Sequence, residues 1–503
     1  MKFFRMNFCQ ARVRLVQAGT VLTAAALVAG CGNNYRPAII PISASGPAAQ
    51  PTSYAVAVSA PSATTPGIAT VIDYSGDSIM ASAAVGVGPI SFTMDASGST
   101  GYTLNRDHTL TGFPVSTNLQ EKQIQNTTLP PLAQPLNLFS PTSGLWAADL
   151  DDNLLDIFVG SPLTFLNSVP MAPTPVMVLG SGTNALRYFT LSQNIAAPTG
   201  VECNTSPTTQ SIGEVTGIEL PSYSSDPPIP VGRCPVYAVV SSDGKRLFVL
   251  NRGDDTLSVI NAQNDTLDTC SGLVNQAGQP VTCHPTLPLS LTAVNALNTI
   301  NPGSGTPSNG IAGMTQIAGP VYAEYNSATN QLVVANYDGN SISIIDVSLD
   351  EYGNDSPTFG TTYTVPVGSN PASVTVLYDG SRAYTANQTD QTMTIVNLNS
   401  HTVEKTLPVS GHPRTVVSTQ NSTQGKVYVA SPDSNVLTLI RTDQDIVDTT
   451  LLLEGNVVDV RVSTQNGMGG NNNNVSRLPG YGQPCNLPGA ASTASLVDCQ
   501  ALP

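Results

Sequence analysis

Short segments in which apolar and polar residues alternate recur along this chain, and turn-forming residues separate them. Period-two alternation predicts β-strands with one buried face, and closely spaced strands of this kind predict antiparallel hairpins. The pattern is clearest over residues 229–465, where each unit contains four such segments. A Pro opens the first segment of each unit, and a small polar residue closes the second. The sequence therefore predicts an all-β fold of repeated antiparallel meanders.

The spacing between the opening Pro and the closing residue identifies further units. The four clear units have these boundaries: Pro235 and Asn251, Pro320 and Asn336, Pro371 and Asn387, Pro413 and Ser431. Three earlier units follow nearly the same spacing: Pro89 and Asn105, Pro135 and Asp149, Pro175 and Ser192. The spacing thus predicts seven complete units.

The second segments of the clear units resemble the YVTN-type β-propeller repeat. The matching segments are 248–251, 333–336, 384–387 and 428–431. The resemblance extends over about 229–465, and it implies a ring of four-stranded antiparallel blades.

An eighth blade is predicted from the two ends of the propeller. Residues 457–462 alternate like a lone first strand, and residues 54–59 like a second strand that closes at Ser59. Residues 69–75 and 78–85 can supply the third and fourth strands. A blade shared by both ends closes the ring and removes free sheet edges. We expect eight blades; the alternative is seven, which is more usual for this repeat class.

The remaining residues predict segments outside the repeat. The predicted division is a signal peptide (1–30), a Pro/Ala/Ser tether (31–53), the propeller (54–465) with insertions at 196–228 and 270–316, and a Gly/Asn-rich tail (466–503). Insertions in a ring of repeats are common places for binding.

The first 30 residues have the pattern of an export signal, with four cations, no acid and an apolar stretch at 21–28. Residues 28–31 resemble the lipobox of bacterial lipoproteins. That resemblance implies acylation of Cys31, which would then become the mature N-terminus and anchor the protein to a membrane. Because Gly32 rather than Asp follows Cys31, we expect the lipid anchor to lie in the outer membrane. The sequence does not distinguish between the periplasmic and the surface face of that membrane.

Net charge changes the list of expected partners. Removal of the four cations of the signal takes the formal net charge from −15 to −19. Nucleic acid is disfavoured as a partner, since its phosphates require clustered Lys and Arg.

The number of Cys residues agrees with export. After removal of Cys9 and acylation of Cys31, six Cys remain: Cys203, Cys234, Cys270, Cys283, Cys485 and Cys499. An even number in an oxidising compartment predicts disulfides, and 15 pairings are possible. We favour the pairs nearest in sequence, which are 203–234, 270–283 and 485–499, the last forming a loop in the tail.

Residues able to carry out chemistry are few and scattered. The four His residues, His108, His284, His401 and His412, lack ligand spacing, so we expect no catalytic residue, metal or cofactor. Residues 149–156 are similar to the calcium loops of integrin-type propellers, with four candidate ligands: Asp149, Asp151, Asn153 and Asp156. They depart from that pattern, since Leu154 stands where the loop requires Gly and the last Asp comes one residue early.

These observations favour an envelope binding or scaffold protein whose partner is a protein or polymer. One alternative is an enzyme, since related propellers include lactone hydrolases and amine dehydrogenase subunits. Another is a structural component of a surface layer. Fold analogy alone cannot separate the three.

Overall fold

The computed structural model describes residues 54–133, 135–141, 144–150, 152–180, 187–194, 211–270, 274, 281–289 and 317–463. The predicted signal peptide, tether and tail lie outside these ranges, as do Cys31, Cys203, Cys485 and Cys499. Asp151 also lies outside them.

The first half of the chain supplies three strands of the closing blade and then blades 1 to 3. The closing-blade strands are β1 (Tyr54–Ala60), β2 (Pro66–Asp73) and β3 (Ser78–Val87). Blade 1 consists of β4 (Pro89–Met94), β5 (Thr100–Asn105), β6 (Thr109–Pro114) and β7 (Gln125–Thr128). Blade 2 consists of β8 (Pro135–Phe139), β9 (Leu145–Asp149), β10 (Leu154–Val159) and β11 (Thr164–Pro170). Blade 3 consists of β12 (Pro175–Gly180), β13 (Arg187–Ser192), β14 (Ile212–Glu219), β15 (Ser224–Ser225) and β16 (Ile229–Arg233).

The second half supplies blades 4 to 7 and the last strand of the ring. Blade 4 consists of β17 (Pro235–Val240), β18 (Arg246–Asn251), β19 (Thr256–Asn261), β20 (Thr266–Leu267) and β21 (Thr286–Pro288). Blade 5 consists of β22 (Pro320–Asn326), β23 (Gln331–Asn336), β24 (Ser341–Asp346) and β25 (Thr362–Pro366). Blade 6 consists of β26 (Pro371–Val376), β27 (Arg382–Asn387), β28 (Thr392–Asn397) and β29 (Thr402–Pro408). Blade 7 consists of β30 (Thr415–Ser418), β31 (Lys426–Ala430), β32 (Val436–Arg441) and β33 (Ile446–Leu452), and β34 (Asn456–Val462) follows.

The predicted eight-bladed propeller is confirmed, and the seven-bladed alternative is wrong. The closing blade, blade 8, has the strand order β3-β2-β1-β34 and therefore joins both ends of the described chain. Its antiparallel ladder pairs Val56 with Arg461 and Ala57 with Val460. The ring is thus closed by backbone hydrogen bonds between residues about 400 positions apart.

The opening Pro of blades 1 to 6 is followed by a bulge. The ladder between the first and second strands shifts register just after the Pro in blades 1 to 6. Pro has no N–H to donate to a ladder, so it is tolerated at a strand start beside a bulge.

The inner edges of neighbouring first strands are joined by side chains. Asn137 Oδ1 accepts a hydrogen bond of 3.0 Å from the N–H of Val178 in the next blade. In blade 6, Ser373 Oγ accepts one of 3.1 Å from the N–H of Val416. An inner strand has no ladder partner on this side, so these bonds satisfy buried donors that would otherwise remain unpaired.

The Asn that closes the second strand bonds to side chains of the third strand. Asn387 Nδ2 donates to Thr392 Oγ1 at 3.0 Å and to Thr394 Oγ1 at 2.8 Å, both on the third strand. Asn251 and Asn336 make the same pair of bonds to hydroxyls five and seven residues later. These buried amides therefore join the second strand to the third.

In blades 4 and 6 a glycine three residues before the opening Pro leaves space for this Asn. A Cβ on Gly368 would lie 2.6 Å from Nδ2 of Asn387, and one on Gly232 would lie 2.6 Å from Cγ of Asn251. Blade 7 has the smaller Ser431 in place of Asn, and Ser410 stands where blades 4 and 6 have this glycine. Ser431 Oγ donates to Ser410 O at 2.5 Å, so the two differences compensate each other.

The insertion boundaries predicted from sequence need correction. The segment expected as an insertion over 196–228 contains β14, which is the third strand of blade 3, and β15. The segment expected over 270–316 contains β21, which pairs with β19 of blade 4. Both strands lie far along the chain from the preceding strand of their blade, and the repeat spacing could not place them.

The only helix among the described residues is the 3₁₀ turn Glu121–Gln123. It is too short to cross a membrane.

Candidate functional site

The outermost strands differ between two sets of neighbouring blades, and blade 2, which belongs to neither set, has a continuous outer strand, β11, of seven residues. In blades 3 and 4 the outer strand is broken into pieces of two to five residues. In blades 6, 7 and 8 it is continuous and contains 7, 7 and 10 residues, respectively. A strand at the edge of a sheet presents unpaired N–H and C=O groups, and its length determines how well it can pair with another chain.

The continuous outer strands also expose apolar side chains. These residues, here called the rim arc, are Val403 on β29, Ile446, Val447 and Leu452 on β33, and Ile79 and Met80 on β3. Leu452 is 71% exposed and Ile79 is 47% exposed. Exposed apolar residues grouped on neighbouring elements mark interaction surfaces more often than scattered ones do.

A cavity of about 500 Å³ lies beside the rim arc, between blades 7 and 8. Asp77 in the turn before β3 lines one side. Lys426 at the start of β31, Arg441 at the end of β32 and Asp448 on β33 line the other. The cavity therefore places both signs of charge next to exposed apolar strands.

Lys426 joins the two blades across this cavity. Its ammonium forms ion pairs with Asp77 of blade 8 and with Asp448 of its own blade. Burial lowers the pKa of Lys426, but the hydrogen bonds to Asp448 and Asp77 outweigh it and raise the pKa above the ordinary value. Burial raises the pKa of Asp77 in spite of the bond from Lys426. Lys426 is thus a charged residue that joins blade 7 to the closing blade.

The same arrangement occurs one blade earlier. Arg382, the first residue of β27, pairs with Asp445 in the last turn of blade 7. Asp445 and Asp77 both have positive φ, 53° and 50°, and occupy equivalent turns. Lys405 Nζ on β29 also donates to Asp445 O at 2.8 Å. A cation at the start of the second strand therefore recognises an Asp of the following blade, and this contact connects blades 6, 7 and 8.

Acids in the turns between second and third strands have structural roles. Asp254 Oδ2 accepts from the N–H of Arg233 at 2.6 Å, and Asp390 Oδ2 accepts from Ser369 at 2.6 Å. Asp433 Oδ1 accepts from the N–H of His412 at 2.8 Å. Each carboxylate caps the backbone just before the opening Pro of its blade.

The four His residues lie in different parts of the ring. His412 Nδ1 contacts Asp433 Oδ2 at 2.5 Å, and His108 Nε2 contacts Pro130 O at 2.8 Å. The His401 ring stacks on Tyr363 with 3.6 Å between the centroids, and burial lowers its pKa. His284 belongs to the buried cluster described below.

The calcium candidates occupy the end of β9 and the start of β10. Asp149 and Asp156 are buried, and Asp156 Oδ1 accepts from Ser168 Oγ at 2.5 Å. Asn153, with φ of 56°, uses Oδ1 to accept from the N–H of Thr174 at 2.8 Å. Because Asp151 lies outside the described residues, the calcium assignment stays a prediction.

Among the Cys residues, Cys270 and Cys283 are joined by a disulfide with a Cα–Cα distance of 5.5 Å. Cys234 is also disulfide-bonded, and its expected partner Cys203 lies outside the described residues.

The sequence did not reveal a buried cluster between blades 4 and 5. Arg246 Nε lies 3.0 Å from Asp268 Oδ2, and His284 Nδ1 lies 2.8 Å from Asp355 Oδ2. One oxygen each of Asp268 and Asp355 and the sulfur of Cys283 lie within 4.8 Å of one another. Burial raises the pKa of Asp268. The positive charge of Arg246 lowers this pKa, and the negative charge of Asp355 raises it. The two acids are far apart in sequence and neither lies in a motif, so no sequence signal indicated them.

Comparison with known proteins supports the fold alone. No protein-family model and no curated protein matches the chain. Apo AztD from Citrobacter koseri matches with a TM-score of 0.51 and 11% identity, covering 82% of this chain and 98% of AztD. The dihydro-heme d1 dehydrogenase NirN, in complex with DHE, matches with a TM-score of 0.53 and 13% identity, covering 84% and 78% of the two chains. The protein is therefore of the β-propeller class.

Proposed function

We propose that this protein is an envelope-anchored β-propeller that binds an extended segment of a partner protein along the rim arc. The observation that carries the proposal is the run of continuous, apolar outer strands on three neighbouring blades. Ion pairs of Arg382 and Lys426 connect these blades, so the strands are held in fixed relation to one another. The proposal assigns a binding role and no reaction.

The outer strands favour a peptide in strand conformation. An extended segment can add to a sheet edge by main-chain hydrogen bonds, while side-chain pockets supply specificity. Strand β33 offers Ile446, Val447 and Leu452 to such a segment and carries one charge, Asp448. An added strand would bury apolar surface that is exposed in the isolated ring.

Charge limits the chemistry of the partner. The chain has a formal net charge of −15, and the cavity beside the rim arc contains Asp77, Asp443 and Asp448. Their neighbours Lys426 and Arg441 are already paired with these acids. An apolar segment flanked by basic residues therefore suits this surface best, because like charges across an interface suppress binding.

The membrane anchor is the second part of the proposal. Lipidation of Cys31 would tether the ring at the outer membrane and keep it close to envelope partners. Cys31→Ser should release the protein from the membrane fraction into the soluble envelope fraction. Continued membrane association of this variant would contradict the lipoprotein assignment.

Site-specific photocrosslinking in cells tests the binding role. A photoreactive residue at Leu452 or Ile79 should capture one dominant protein, and the same residue at Ile212 of blade 3, which is 55% exposed, serves as the control. Crosslinks at both blades in equal amount, or none at the rim arc, would contradict the proposal. A polymer adduct or a crosslinked second copy would identify the wrong partner class and contradict it as well.

A further inference from the structure

The cluster between blades 4 and 5 contains two carboxylates that lie close together, with one oxygen of each within 4.8 Å of the other. Asp268 lies just after β20, and Asp355 lies in the connection between β24 and β25 of the next blade. The Asp355 side chain is fully buried, and its Oδ1 has no hydrogen-bond partner among the described residues. Two buried carboxylates in contact require a proton or a cation between them.

Each carboxylate has a basic partner at its Oδ2 atom. Arg246 Nε donates to Asp268 Oδ2 at 3.0 Å, and its NH2 group donates to Gly353 O at 3.0 Å. His284 contacts Asp355 Oδ2 through its backbone N–H at 2.9 Å and through Nδ1 at 2.8 Å. Oxygen ligands held in this way by neighbouring donors are typical of built metal sites.

The third member of the group is a sulfur. Cys283 Sγ lies within 4.8 Å of both acid oxygens, so a single ion can contact all three atoms. In this structure Cys283 is bonded to Cys270, and a disulfide sulfur is not a thiolate ligand. The donor set is therefore complete only when the disulfide is reduced.

We propose that reduction of the Cys270–Cys283 disulfide creates a binding site for one Zn²⁺, with Cys283, Asp268 and Asp355 as ligands. A thiolate with two carboxylates suits Zn²⁺ rather than the oxygen-seeking Ca²⁺ or Mg²⁺. Water completes the four-coordinate site. Arg246 and His284 are positioning residues that orient the two carboxylates.

A dithiol supplies two electrons and two protons, the S–S bond breaks to give two thiols, and the dithiol becomes its own disulfide. The Cys283 thiol releases its proton to solvent when its sulfur binds the metal. The three anionic ligands and Arg246 then balance the charge of the bound dication. The oxidised protein lacks the thiolate ligand, and the reduced protein supplies it.

Two single variants provide a matched test. Cys270→Ser leaves Cys283 as a free thiol, and Cys283→Ser leaves Cys270 as a free thiol, so both lose the same disulfide and its stabilisation. Zn²⁺ is titrated into each metal-free full-length protein in competition with a chromophoric chelator. We expect Cys270→Ser to bind one equivalent about ten-fold or more tightly than Cys283→Ser. Equal affinity in the two variants would overturn the proposal.

A spectroscopic measurement identifies the ligands directly. Co²⁺ in Cys270→Ser should give a thiolate-to-metal charge-transfer band that Cys283→Ser lacks. Adding Asp355→Asn to Cys270→Ser should lower the affinity for Zn²⁺ to the level of Cys283→Ser. The unsubstituted protein should gain the site only after treatment with a phosphine reductant. Absence of the band, or unchanged affinity in the Asp355 variant, would overturn the assigned donor set.

Discussion

Blades 3 and 4 and blades 6 to 8 share one interior plan but have opposite outer edges. In the first arc the outer strands are short pieces, β15 and β20 with two residues each, followed by later segments that return to the sheet. In the second arc the outer strands are continuous and expose apolar residues. Short broken strands protect an edge from pairing, whereas long ones leave it available. The comparison shows that a repeat can keep its core while its rim takes on a separate role.

Loss of the Asn that closes the second strand should lower the stability of both arcs equally. Asn387→Ala in blade 6 and Asn251→Ala in blade 4 each remove a buried amide that donates to two hydroxyls. We expect each to lower the free energy of unfolding by about 2 kcal/mol, since buried hydroxyls lose their partner. Denaturant unfolding measures both. Values that differ by more than a factor of two would contradict the shared interior plan.

The next largest loss of stability is expected when the ion pairs between blades 7 and 8 are removed. Lys426→Met leaves Asp77 and Asp448 without their cation, and a loss of about 1 to 2 kcal/mol is expected after allowance for solvent screening. Arg187→Met in blade 3 should lose less, because Arg187 is more exposed, at 21% of its side chain against 13%. Thermal unfolding compares the two, with Lys426→Arg as the charge-preserving control. A larger loss at Arg187 would reverse the comparison.

A pH-dependent effect is expected in the first arc. Burial raises the pKa of Asp265 to about 6. The positive charge of Arg187 lowers this pKa, and the negative charge of Asp226 raises it. The folded state therefore holds this proton more tightly than the unfolded state, so stability falls as pH rises from about 4 to about 6. Asp265→Asn should be more stable than the parent above pH 6, by less than about 1 kcal/mol because the group is partly exposed, and should show no gain at pH 4. A gain of the same size at both pH values would contradict this cause.

The smallest change in stability should accompany the largest change in binding. Val447→Lys places a charge on the outer strand of blade 7, and exposed substitutions of this kind usually stay within about 0.5 kcal/mol of the parent. A charged residue on an edge strand discourages pairing with another chain. We expect the melting temperature to stay constant while crosslinking through Leu452 to a partner falls. Undiminished crosslinking would separate the rim arc from partner binding.

The local pattern was enough to predict much of the ring. Alternation and the spacing from Pro371 to Asn387 predicted the first two strands of a blade, because strand periodicity and turn chemistry act over a few residues. The lone segment at 457–462 predicted the shared eighth blade, which β34 and β1 confirm. The same local rules missed β14 and β21, since a strand that follows a long connection carries no spacing signal.

The sequence by itself determined the fold class and the repeat, and it favoured eight blades over seven, because each follows from hydrophobic periodicity and from short-range turn residues. It also set the charge and the Cys content that favour an exported protein. Only the tertiary structure decided which groups meet: Lys426 with Asp77, Asp268 with Asp355, and the outer strands that remain exposed. Those contacts join different blades, and their distances depend on how the whole ring closes rather than on any local segment.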